Sequence, residues 1–292
     1  IPAETTTAAP DVPLGVRVSW GLGSFATISY LNTVSALVLV YLTTVMKVAP
    51  DVAGYLVFAT RIIDAFSDPV MGRITDRTRS RWGRRRPWLL VGAFVCGFGL
   101  PLVYSQHEMP FAASHPVALA FVVLVVYSLG FTVFNVPYLT MPVEMTSDRM
   151  QRLSVMGYRS VFMMLGSVAG SAGGPALVER LGRDPDAFQT LGFVGGGVVS
   201  LVMLVTFFGT RRAHAEALQD HPRMPVWRQL RAVLDNRPFM AMVGVKVLQF
   251  VALSASSATM AFFVVMVLKQ KLSLMAVLAV ATIGSTVAFI PL

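Results

Sequence analysis

An all-α, polytopic membrane helical bundle is the fold this sequence predicts, on three observations. Apolar stretches of bilayer-spanning length, about 20 residues each, recur along the chain. Of the 292 residues, 55% are hydrophobic and 13% charged, against roughly 25% charged in ordinary soluble domains. The stretches are continuous rather than alternating, which argues against a transmembrane β-barrel.

Residues 1–16 form a polar, Pro- and Thr-rich segment without a basic start, so they read as a flexible tail and not as a signal peptide. Span one is expected at residues 18–46, uncharged between Arg17 and Lys47. Span two, residues 54–75, holds the charged run RIIDAFSDP. Spans three to six follow at residues 88–104, 117–141, 153–177 and 188–210. Residues 211–237 are a polar central loop with room for short surface helix. Span seven is expected at residues 239–268, and span eight runs from Leu272, still apolar at Leu292. The domain reading is therefore a six-helix bundle over 17–210, a loop over 211–237, and the first two helices of an incomplete second bundle over 238–292. Six spans, a longer loop and then more spans is the layout of transporters built from two halves. A truncated membrane component that transports nothing and serves a protein partner is the alternative raised by the apolar ending.

The net charge of +9 does not point to nucleic acid. The arginines cluster in alternate loops, which lie on one side of the membrane, with Arg77, Arg79, Arg81, Arg84, Arg85 and Arg86 in loop 2–3 alone. The positive-inside rule accounts for that and places the N-terminus in the cytoplasm. Cys96 is the single cysteine, so neither an internal disulfide nor a cysteine metal site can form. Small residues mark helix contacts: Gly166, Gly170 and Gly174 recur every four residues, and Gly21, Gly23, Gly195, Gly196 and Gly197 read the same way. Gly174–Pro175 and the run Asn135, Val136, Pro137 are expected kinks.

Span two carries the chemistry. A charge at the centre of a spanning helix costs about 2.5–3.5 kcal/mol on insertion scales. Such residues persist where they pair, line a polar cavity or bind an ion. Asp64 and Asp68 are four residues apart and share one helical face, with Arg61 a turn before them. Their carboxylates suit a small hard cation, provided hydroxyl or carbonyl oxygens complete the set. Ser67 on the same helix, and Thr132 and Asn135 on one face of span four, can supply those oxygens. The bland alternative is a structural Arg61–Asp64 ion pair with Asp68 facing water. An aspartyl protease dyad is disfavoured, because its two carboxylates must face each other across a shared proton. Arg159 in span five either snorkels to the interface or faces a cavity, and Lys246 in span seven is a countercharge candidate of the same kind.

The run RIIDAFSDPVMGRITDRTRSRWGRRRPWLL, together with NVPYLTMPVEMTSDRMQRLSVMGYRS, resembles the glycoside-pentoside-hexuronide:cation symporters of the major facilitator superfamily. The resemblance implies twelve helices in two bundles around a central cavity, alternating access, and symport of a small solute with Na⁺ or H⁺. By position, Asp64, Asp68, Ser67 and Thr132 match the family's cation site, with Na⁺ the candidate ion at Asp64 and Asp68. Arg159 matches an arginine near the solute, with Asn135, Tyr138, Ile28 and Leu139 at or beside solute-binding positions. Ile28, Asn135 and Leu139 depart from the sodium/melibiose symporter, where aspartates and a stacking tryptophan stand. Galactoside specificity of that kind is thus not expected; another glycoside, or an amphiphile such as a lysolipid, fits these positions. The loop GRITDRTRSRWGRRR resembles the superfamily's cytoplasmic gate through Gly72, Asp76, Arg77, Gly83, Arg84 and Arg85. The resemblance implies no enzymatic activity and no cofactor beyond the coupling ion. Its expected partners are the small solute, the cation and the lipid of a bacterial inner membrane.

Overall fold

A computed structural model describes residues 11–146, 148–212, 231 and 235–262. The chain divides into two compact units, Ile1–Ala217 and Leu218–Leu292. The first contains α1 (Leu14–Thr44), α2 (Pro50–Arg77), α3 (Arg86–Tyr104), α4 (Pro116–Met145), α5 (Arg149–Val168), α6 (Gly174–Arg180) and α7 (Pro185–Gly209). A π turn, Ala169–Gly173, joins α5 to α6. The second unit contributes α8 (Arg237–Phe262). The described residues include no strand. Span eight, the end of span seven and most of the central loop lie outside the described residues.

Prolines and one cap, rather than the apolar runs, fix where the helices begin. α2, α3, α4 and α7 each carry proline at the first or second helical position, where the missing N–H costs nothing and the fixed φ is already helical. Asp148 caps α5, its carboxylate accepting from the Met150 amide at 3.0 Å, which satisfies a free N–H of the first turn. Helices α2 and α5 therefore start before the apolar stretches that announce them. Helix α4 continues through Pro137 and Pro142, and the expected break at Gly174–Pro175 falls just after the π turn.

Five helical stretches are long and apolar enough to cross a membrane: Leu14–Thr44, Arg86–Tyr104, Pro116–Met145, the continuous Arg149–Arg180 and Pro185–Gly209. Helix α2, at 28 residues, is long enough, since helices rise about 1.5 Å per residue. It is not apolar enough, because Asp51, Arg61, Asp64, Asp68, Arg73, Asp76 and Arg77 all lie along it. A spanning helix so charged belongs beside a polar interior and not against lipid.

Helix α4 packs on α2 and α3, α3 on α7, α7 on α1, and α1 on α5. The sequence of neighbours is thus α2, α4, α3, α7, α1, α5, with α2 and α5 at its ends. Trp20, Tyr30 and Tyr41 of α1 are fully buried at the centre. Buried aromatic residues with polar tips need partners, and here backbone carbonyls supply them. Trp20 Nε1 donates to Tyr138 O at 3.2 Å, Tyr104 to Thr33 O at 3.0 Å and Tyr127 to Tyr30 O at 3.1 Å.

The glycine row works as expected. A Cβ on Gly166 would lie 2.8 Å from Phe25 Cα, one on Gly170 3.0 Å from Ser29 Cα, and one on Gly174 3.4 Å from Thr33 Cγ2. Residues four apart drift by roughly 40° per step around an α-helix. The wider π turn between Gly170 and Gly174 counters that drift, so all three glycines meet the same face of α1. On α7 the three glycines separate. A Cβ on Gly196 would meet Pro101 Cδ at 2.8 Å, one on Gly195 meets only the tip of Leu100, and Gly197 faces open space. Gly197 is therefore a correction to the reading of all three as helix contacts.

Candidate cation and solute site

Charges at lipid depth must be met by neighbours, and α4 meets those of α2 with hydroxyls. Thr132 Oγ1 donates to Asp68 Oδ1 at 2.9 Å. One turn away, Ser128 Oγ donates to Asp64 Oδ1. The spacing of four residues on α2 is matched by four on α4, so two carboxylate–hydroxyl rungs form between the helices. Ser67 Oγ lies 3.3 Å from Thr132 Oγ1 and 3.3 Å from Asp64 O. The sequence-predicted set Asp64, Ser67, Asp68 and Thr132 is thus brought together in one place.

Ser128 belongs to the same set and was not singled out from the sequence. Its signal was there: it stands four residues before Thr132 and so shares its face. Arg61 Nη1 is 3.7 Å from Asp64 Oδ2, with the arginine side chain 51% exposed and that of Asp64 23% exposed. A long, half-exposed pair of this kind is weak. It still balances one of the two carboxylates, leaving one negative charge. A cavity of about 30 Å³ lined by Thr60, Arg61, Asp64, Tyr127 and Ser128 adjoins the Asp64 rung and has room for a water molecule.

The donor set is two carboxylates and three hydroxyls, all hard oxygens. Among the described residues no group of three or more His, Cys, Asp or Glu gathers. Ca²⁺ takes 6–8 oxygens, usually with several carboxylates. One residual negative charge and a few neutral oxygens suit a monovalent ion or a proton instead.

The positions expected to touch solute are spread over three helices. Arg159 on α5 is partly buried, and its Nε has no hydrogen-bond partner among the described residues. Ile28 on α1 and Asn135 on α4 are partly exposed, and Leu139 is 39% exposed. Tyr138 is a correction. Its ring is fully buried and stacks on Trp20 with centroids 4.9 Å apart. Its hydroxyl is held by Ser24 Oγ at 2.6 Å and Trp20 O at 2.8 Å, so it braces α1 against α4 and is closed to a solute. Lys246 lies on α8 of the second unit, its Nζ 3.1 Å from Gln249 Oε1.

At the other end of α2 the gate-like residues converge on Glu144, which the sequence did not single out. Glu144 Oε1 lies 3.2 Å from Arg84 Nη2 and 3.0 Å from Arg85 Nε, and Arg85 Nη2 lies 3.6 Å from Asp76 Oδ1. The Arg85–Glu144 contact is an ion pair whose angle is not that of a hydrogen bond. Burial pushes the Arg85 guanidinium below its ordinary value, and Glu144 and Asp76 oppose that shift. Gly83 turns the loop with φ +93°, a region open chiefly to glycine. Arg77 is exposed, and Gly72 faces Val136 of α4, where an added Cβ would lie 3.9 Å from Cγ1. All these partners lie within the first unit.

Residues 19–292 match the family described as MFS/sugar transport protein. The chain is similar to the inner membrane symporter YicJ of Escherichia coli, at 27% identity over 93% of this chain and 58% of that protein. It is 30% identical to the putative glycoside/cation symporter YagG of the same organism, over 80% of this chain and 50% of YagG. It is 23% identical to the isoprimeverose transporter of Lactiplantibacillus pentosus, over 86% and 53%. The chain belongs to the MFS/sugar transport family, in its glycoside-pentoside-hexuronide:cation symporter branch. It is an integral membrane protein and not an enzyme. It spans about half the length of the curated relatives it matches.

Proposed function

We propose that this chain is part of a cation-coupled symporter that carries a small glycoside or related sugar across a bacterial inner membrane by alternating access. The observation that carries the proposal is the double rung between α2 and α4, Asp64 with Ser128 and Asp68 with Thr132. Arg61 offsets one carboxylate, so a single Na⁺ or proton neutralises the rest. Without that ion, the remaining charge disfavours closing a low-dielectric cavity around the solute. With it, the solute-competent arrangement is favoured, and the coupling is reciprocal by thermodynamic necessity. Arg159, Asn135, Ile28 and Leu139 are the proposed solute contacts. The apolar pair at Ile28 and Leu139 selects against solutes that need carboxylate acceptors for their hydroxyls. Asp76, Arg84, Arg85 and Glu144 would brace the cytoplasmic end, where the arginine-rich loops lie.

The direct test is uptake of labelled glycosides into vesicles carrying the Asp68→Asn variant. Cation stimulation is expected to vanish, while counterflow of solute without a gradient persists. Unchanged cation dependence would reject the site. Parallel Na⁺ and pH gradients then identify the ion.

A further inference from the structure

A second polar cavity, of about 260 Å³, lies where α2 ends and α3 begins. All the residues that line it belong to the first unit. Arg81, Arg84, Arg85, Arg86 and Arg211 surround it, and Glu144 is the acidic residue in its wall. Five guanidinium groups meet two carboxylates, Glu144 in the wall and Asp76 3.6 Å from Arg85 Nη2, so the space stays positive. Arg84 and Arg85 share Glu144, and Arg86 donates one N–H to Phe207 O at 3.0 Å. That leaves donors over. The Arg85 side chain is 10% exposed, yet its Nη1 has no hydrogen-bond partner among the described residues, and neither does Arg86 Nε. Buried guanidinium N–H groups without acceptors are costly. A multidentate oxyanion such as phosphate is the ligand such planar forks fit.

One wall of the cavity leads to an apolar surface. Trp82, 41% exposed, packs edge-on against Phe207 at 5.8 Å, and Phe207 against Phe208 at 5.1 Å. Phe208 is 63% exposed on α7, one of the helices able to cross a membrane. Positive charge thus sits beside an aromatic cluster at the C-terminal end of α7.

We infer that this arginine cavity binds a phosphate-bearing anion, and the exposed aromatic cluster beside it, at the end of a membrane-length helix, favours the headgroup of an anionic phospholipid over free phosphate. The site is separate from the carboxylate rungs of α2; it shares Arg84, Arg85 and Glu144 with the proposed cytoplasmic brace, and its test reads anion binding and not transport.

The test uses the intact protein in detergent, titrated with phosphatidylglycerol, with phosphatidylcholine and with inorganic phosphate at matched ionic strength. Binding is read by native mass spectrometry and by thermal shift. The variant is Arg81→Gln with Arg211→Gln, two exposed rim residues outside the Glu144 cluster. Phosphatidylglycerol is expected to bind in preference to phosphatidylcholine, and the double variant to weaken it about tenfold with an unchanged melting point in lipid-free detergent. Saturable binding of inorganic phosphate, lost in the variant, would support the site with a soluble anion as its ligand. Equal binding of both lipids with no phosphate binding would overturn the proposal, as would binding unchanged in the variant. If the double variant does not fold, Arg211→Gln alone, compared with Arg183→Gln far along the chain, keeps the comparison.

Discussion

Ser128 ties Asp64 to α4 with one hydroxyl, and its loss leaves that carboxylate with only a long contact to Arg61. Hydrogen bonds to charged groups contribute about 1.5–3 kcal/mol. Ser128→Ala is therefore expected to weaken cation activation about tenfold or more, read as the half-saturating Na⁺ or H⁺ concentration of uptake, with the fold retained. Glu144 is the other residue whose removal leaves something stranded. Its side chain is 11% exposed and faces Arg85 at 10%. Removing one partner of a buried pair costs about 3–5 kcal/mol. Glu144→Gln should lower the melting temperature markedly, and adding Arg85→Gln should restore part of the loss. Both residues were hidden in the sequence for one reason. A serine in an apolar run reads as packing, and a glutamate at a helix end reads as solvent-exposed, until a neighbouring helix shows what each one faces.

At the scale of elements, the helices themselves were legible, because 20-residue apolar runs have few other readings. Their starts were not. Hydropathy is blind to Pro50 and to the Asp148 cap, so α2 and α5 begin a turn before their apolar stretches. Helix α2 was legible for the opposite reason: its charges made it conspicuous, and the same charges keep it out of the set apolar enough for lipid. Glycine contacts were half legible. Spacing identified the row on α5 and α6, where three positions meet α1. It could not tell Gly196 from Gly197, which differ only in the side of α7 they occupy. Gly196→Ala forces a methyl against Pro101, and overpacking of this kind costs about 1–3 kcal/mol. Gly197→Ala meets nothing. A thermal melt of the two variants should separate them, with the first destabilised and the second within error of the parent.

For the whole molecule, the proposed coupling is a single free energy shared by two ligands. If the coupling ion tightens solute binding by some factor, the solute must tighten ion binding by the same factor, commonly about 5–150-fold. Calorimetric titration of each ligand in the absence and presence of the other checks this, and unequal factors would mean that the ion and solute sites are not linked through one equilibrium. The candidate cation site was legible because an acidic pair in a spanning helix has few structural justifications. The proposed solute positions were legible only by resemblance, and Tyr138 shows the limit of that: it stands beside Leu139 in sequence, while the helix turns it inward onto Trp20.

The π turn at Ala169–Gly173 has a genetic consequence. It holds one residue more than regular winding needs, so this is the place in the rod where loss of a single codon can be absorbed. Deleting a residue elsewhere in α5 rotates everything downstream by roughly 100°. Deleting one here tightens the wide turn into ordinary helix and leaves Gly174 facing α1. Single-codon gaps between related genes should therefore gather at this stretch and be scarce along the rest of the rod.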